Sequence, residues 1–106
     1  MILYDFKEEL HKKLRDPEYA AYYLQGALED SPVEFYYALR ELVIAHGGVE
    51  TLSKKLGRGR CSLYKSLSRE GRPLFETVND VLQGVGFRLA VVPDKSDQSK
   101  EGVVPA

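Results

Sequence analysis

The sequence predicts an all-α fold of five to six helices, with a helix-turn-helix at its centre and one short C-terminal β-strand paired across a dimer. Three observations carry this reading. Apolar residues recur at three- and four-residue spacing along most of the chain, which lines one face of an α-helix. Two helix starts are written as cap and proline, Asp16-Pro17 and Ser31-Pro32. From Val49 to Leu67, V-E-T-L-S-K-K-L-G-R-G-R-C-S-L-Y-K-S-L, two apolar-periodic runs flank a glycine-marked break.

In chain order, Phe6, Leu10 and Leu14 fall at helical spacing behind Asp5, the expected cap, and predict a short amphipathic helix over 6–15. Asp16-Pro17 opens a second helix, with Ala20, Leu24, Ala27 and Leu28 on its inner face, running to about Glu29. Ser31-Pro32-Val33-Glu34 is a stronger start, because serine and the glutamate three residues later make a capping box. The helix it opens carries Phe35, Leu39, Leu42 and Val43 on one face and ends at Gly47-Gly48. Tyr22, Tyr23, Tyr36 and Tyr37 add bulk at the core and its rim, their hydroxyls reaching water.

In the central segment, Leu52 and Leu56 lie one turn apart on the first run, and Leu63 and Leu67 one turn apart on the second. Gly57 stands where the first helix must stop in a left-handed conformation, and Ser53 is small enough to let two helices cross closely. The second helix then projects Arg60, Cys61, Tyr64 and Lys65 outward. After the polar loop S-R-E-G-R-P, Leu74, Val78, Val81, Leu82 and Val85 define a further helix that ends at Gly84 and Gly86. Phe87, Arg88, Leu89, Ala90, Val91 and Val92 alternate as a short strand bounded by Gly86 and Pro93. A lone strand has an unpaired edge, so it is expected to pair with its copy in a second subunit or with another protein. Residues 1–92 thus form one domain, and residues 93–106 read as a flexible tail, with Val103 and Val104 available for docking.

Charge sets the central segment apart. From Val49 to Arg72 there are seven basic residues (Lys54, Lys55, Arg58, Arg60, Lys65, Arg69, Arg72) against two acidic ones, a balance of +5; the chain total of −1 leaves −6 for the remainder. Phosphate attraction depends on the local patch, so a segregated charge is compatible with nucleic acid where a uniform one is not. A basic face alone is usually only solvated; its coincidence with a helix-turn-helix pattern favours DNA.

The remaining chemistry is thin. The chain has no basic and apolar leader and no stretch near the ~18 apolar residues of a membrane span, which points to a soluble cytoplasmic protein. The single cysteine, Cys61, cannot form an internal disulfide. His11 and His46 stand apart, with no ligand set at metal spacing, and Glu8-Glu9 reads as solvated charge. Gly47-Gly48 lacks the G-K-S/T of a phosphate loop. Neither an enzyme nor a cofactor is indicated.

Several blocks in order resemble one family: D-F-K near the start, D-P-E-Y-A-A-Y-Y-L-Q-G-A-L-E-D, F-Y-Y-A-L-R-E-L-V-I-A-H-G-G, L-S-K-K-L-G, S-L-Y-K-S-L-S, G-R-P-L-F-E-T-V and G-F-R-L-A-V. Over roughly residues 5–92 they look like the probable addiction-module antidotes, small Cro-like and lambda-repressor-like antitoxins encoded beside toxins of the RelE/ParE type. The resemblance implies a dimeric repressor of its own operon that also sequesters a toxin. The turn departs from the family pattern of glycine, an apolar residue, then serine or threonine, since here it is Gly57-Arg58-Gly59. Losing the side-chain cap at Gly59 should cost only a few tenths of a kcal/mol. An outward Arg58 would add a phosphate contact, and an inward one would leave a turn without its apolar plug.

In the docking mode of such a motif, the second helix enters the major groove and the first crosses the backbone. The expected DNA-binding set is Lys54, Lys55, Arg58, Arg60, Cys61, Ser62, Tyr64, Lys65 and Arg69 on a double-stranded operator, with the protein nucleoid-associated when bound. Arg60 is the base reader, because its fork fits guanine O6 and N7 together. Tyr64 and Lys65 lie on the next turn of the same face, Cys61 makes a small apolar contact, and Lys54, Lys55, Arg58, Arg69 and Arg72 hold phosphates. The alternative is a helical protein-interaction module that keeps this scaffold without reading DNA.

Overall fold

The computed structural model of the chain describes residues 2–68 and 71–94, apart from the side chains of residues 2–5. The described residues form six α-helices: α1 Ile2–Leu14, α2 Pro17–Asp30, α3 Pro32–Ala45, α4 Gly48–Leu56, α5 Arg60–Ser66 and α6 Phe75–Gly84. The all-α expectation is met. The tail beyond Asp94, including Val103 and Val104, lies outside the described residues.

Ser31 joins α2 to α3 by serving both. Its backbone N–H donates to Ala27 O at the end of α2, while its hydroxyl accepts from Glu34 N at 3.1 Å at the start of α3. One residue thereby satisfies terminal groups of two helices and turns the chain back on itself, so α2 and α3 pack as a hairpin. Asp16 caps α2 in the same way by accepting from Glu18 N. Helix α3 is the centre of the bundle, burying Phe35, Ala38, Leu39, Leu42, Val43 and Ala45 against α1, α2 and α4. Truncating a fully buried leucine such as Leu39 or Leu42 to alanine should cost about 2–5 kcal/mol.

Helix α1 begins at Ile2, so Asp5 lies inside the helix and is not its cap. Leu14 is fully buried and Leu10 packs against the core, but Phe6, in the same register, is 71% exposed. The docked part of α1 is therefore its C-terminal half. There Arg15 Nε donates to Ala45 O at 3.2 Å, placing a cation at the carbonyl end of α3, where the helix dipole favours one. His46 likewise sits at the end of α3, its Nδ1 on Leu42 O at 3.1 Å. His11 is not isolated, because Nε2 lies 2.7 Å from Glu41, which also takes Lys7 at 2.8 Å.

Two further inward expectations fail. Leu74 is exposed because it precedes α6 with extended dihedrals (φ −68°, ψ 157°), which take it off the helical register that Val78, Val81, Leu82 and Val85 share in the core. Leu28, expected on the inner face of α2, is half exposed near the helix end. It lines a groove of about 370 Å³ with Leu24, Phe35, Leu82, Phe87 and Leu89.

Residues 87–92 form no strand in the single chain, and the described residues contain no β-ladder. Their path is set by the end of α6. Gly86 takes φ 94° and donates to Gln83 O, while Phe87 N donates to Leu82 O at 2.8 Å, the bond pair of a Schellman stop. Phe87 is drawn onto the core by this stop, whereas Val91 and Val92 stand in solvent.

Candidate nucleic-acid interface

Helices α4 and α5 are joined by the three residues Gly57, Arg58 and Gly59. Gly57 adopts the left-handed conformation expected of it (φ 67°, ψ 28°), and both Gly57 N and Arg58 N donate to Ser53 O, at 2.9 and 3.2 Å. These bonds satisfy a terminal carbonyl of α4 and set the direction in which the chain leaves it. Ser53 is buried, and its hydroxyl donates to Glu50 O at 2.9 Å.

Leu52 anchors α4, while Leu63 and Leu67 anchor the segment of α5; all three are buried. With that face fixed inward, Arg60, Cys61, Ser62, Tyr64 and Lys65 are all exposed. Lys54 and Lys55 are exposed on α4, and Arg72 is exposed after α5. Arg69 lies outside the described residues. Arg60 Nη1 rests 3.2 Å from Glu50, but both side chains are more than half exposed, a geometry in which an ion pair contributes about 1 kcal/mol or less. Lys55 Nζ donates to Gly84 O at 3.1 Å, where the C-terminal end of α6 presents carbonyl oxygens.

Arg58 departs from the expected arrangement. Its guanidinium is turned onto α6, with Nη1 2.8 Å from Asp80 Oδ2 and Nη2 3.4 Å from the hydroxyl of the buried Thr77. The polar turn residue therefore substitutes an ion pair for an apolar plug, and the turn is clipped to α6. Neither Thr77 nor Asp80 was signalled by the sequence, since they lie 19 and 22 residues from Arg58 and belong to a different helix.

The same helix α6 supports α4 by close approach. A Cβ on Gly84 would meet Leu52 Cδ1 at 2.7 Å and Leu56 Cδ2 at 3.2 Å, so the two helices touch where a side chain would hold them apart. Helix α5 itself is seven residues long, and Gly59 provides no side-chain cap at its start.

Among the described residues, no three His, Cys, Asp or Glu side chains group as a metal site, and Cys61 is a free, exposed thiol. No described helix is long and apolar enough to cross a membrane.

A family model described as Probable addiction module antidote protein matches residues 5–93. No curated protein and no solved structure gives a significant match. Antidotes of addiction modules act against a toxin, so membership brings an antitoxin role and a toxin partner. With the match spanning all six helices but the first turn of α1, the chain belongs to the probable addiction module antidote family.

Proposed function

We propose that the chain is a sequence-specific DNA-binding antitoxin that represses its own operon as a homodimer and neutralises a RelE/ParE-type toxin. The observation that carries the DNA half is the division of one short helix: Leu63 is buried, while Arg60, Cys61, Tyr64 and Lys65 stand in solvent, and Lys54 and Lys55 on α4 are exposed as well. Used as a Cro-like helix-turn-helix, α5 enters the major groove and α4 crosses the backbone. Arg60 exchanges its weak contact with Glu50 for a guanine edge, with Ser62, Tyr64 and Lys65 beside it. Lys54, Lys55, Arg72 and, on its sequence position, Arg69 hold phosphates, whereas Arg58 is assigned to holding the turn.

For the dimer, the exposed apolar run ending in Val91 and Val92 supports pairing of residues 87–92 with a second copy, since an open apolar edge seeks a partner. A two-fold dimer places its half-sites ~34 Å apart. A second reading, an interaction module on this scaffold that does not read DNA, is favoured by the shortness of α5 and by the inward Arg58. A band-shift titration against the duplex upstream of the operon separates them. Salt-sensitive preference for that sequence over random duplex is expected, and equal binding to both rejects the repressor reading.

A further inference from the structure

The face formed by α2 and α3 has the opposite character to α4 and α5. Residues 16–45 carry six carboxylates (Asp16, Glu18, Glu29, Asp30, Glu34, Glu41) against the single cation Arg40, a balance of −5; Glu41 is buried and paired with Lys7 and His11 of α1, which leaves five carboxylates for the surface. Between these two helices lies a cleft of about 600 Å³ walled by Tyr19, Tyr22, Tyr23 and Tyr37, with Glu29 and Glu34 at its margin. Tyr19 and Tyr23 stack with ring centroids 6.4 Å apart, forming one aromatic wall. Two of these rings already hold cations of the chain itself: Lys13 over Tyr19 at 5.9 Å and Arg40 over Tyr37 at 5.8 Å. Tyr22, 80% exposed, makes no hydrogen bond, ring stacking or cation contact among the described residues, and neither Glu29 nor Glu34 has an ion-pair partner there.

We propose that the tyrosine-lined cleft between α2 and α3 is the docking site for an arginine- or lysine-bearing segment of the toxin partner. The proposal rests on the antidote role. Aromatic faces attract a cation through their ring quadrupole, and carboxylates at the margin pair with it, so the cleft is built for a cationic side chain on an apolar stem. Phosphate is repelled by the same charges, which separates this surface from the basic one and leaves both usable at once. Burial first, and then the charges of Glu41 and Glu34, push the Tyr23 phenol above its ordinary value, so that it stays a neutral ring in the cleft.

Gly26 lines the cleft from the interior of α2, where a glycine weakens a helix relative to almost any other residue. A Cβ there would meet nothing within 4 Å, so packing within the chain does not require its smallness. Open space above Gly26 is what an inserted side chain would use.

The test is the affinity of the full chain for the protein encoded by the adjacent reading frame, measured by calorimetry for wild type, Tyr22→Ala, Glu29→Lys and Gly26→Leu. Each substitution is expected to weaken the complex by about tenfold or more, as truncation or blockage of an interface anchor does. Operator binding should stay within about twofold, and the thermal midpoint of Gly26→Leu should equal or exceed that of wild type. Unchanged toxin affinity in all three variants overturns the cleft as the docking site and leaves the antitoxin role intact. Failure of the wild-type chain to bind that protein overturns the toxin reading and the proposal with it.

Discussion

Arg58 and Asp80 form a 2.8 Å ion pair that fastens the turn between α4 and α5 to helix α6. Both side chains are about a third exposed, so the pair contributes about 1 kcal/mol or less to stability. Its larger consequence is for charge, because it withholds one cation from the basic surface proposed to face DNA. Asp80→Asn should release Arg58, raise affinity for all duplexes and steepen the salt dependence of binding by about one unit in log–log slope. Anisotropy titrations at several salt concentrations check this, and an unchanged slope would mean that Arg58 stays on α6 without its partner.

The approach of α4 to α6 predicts a different defect. Gly84→Ala would drive a methyl group into Leu52 and Leu56, and overpacking of this kind costs about 1–3 kcal/mol. Urea denaturation should register that loss. Because α6 holds the turn as well as α4, DNA affinity should fall in the same variant.

At Ser31 one hydroxyl and one N–H hold the α2–α3 hairpin. Ser31→Ala keeps the backbone bond to Ala27 but removes the acceptor for Glu34 N, at an expected cost of about 1 kcal/mol. A lowered thermal midpoint with unchanged far-UV helicity at 25 °C is the predicted result.

Acid should loosen α1. Burial alone would raise the Glu41 carboxyl, but hydrogen bonds and charge from Lys7 and His11 outweigh it and hold the group below its ordinary value of 4.5. With the folded-state value depressed, the unfolded chain binds the proton first. The contribution of Glu41 is therefore fully present well above pH 4.5 and is lost as pH falls through the folded-state value. Glu41→Gln should flatten the acid limb of the stability curve, as followed by chemical denaturation from pH 7 downward.

What was legible in the sequence was what is decided locally. Ser31, Asp16, Gly57 and Gly86 act within a few residues of themselves, and the helix ends they mark fell close to their signals, whereas Asp5 did not mark the start of α1. Periodicity placed Leu14, Leu39, Leu63 and Val81 in the core, but it also placed Phe6, Leu28 and Leu74 there, all of which are exposed. Spacing reports which residues share a helix face without reporting how far the neighbouring helix extends along it. Pairings across the bundle were equally hidden: Arg58 with Asp80, and Glu41 with Lys7 and His11, join residues 22 to 34 positions apart. The tyrosines, read as core and rim, could be seen to wall a cleft only once α2 and α3 were placed side by side.

The central claim is that α5 reads base sequence, and comparison of Arg60→Ala with Lys54→Ala on the operator and on a scrambled duplex tests it most directly. The account predicts that Arg60→Ala loses about 1–3 kcal/mol on the operator with much less change on the scrambled duplex, while Lys54→Ala weakens both alike and lowers the salt slope by about one unit. Equal losses on both duplexes for Arg60→Ala, or no preference for the operator in the wild-type protein, would contradict it.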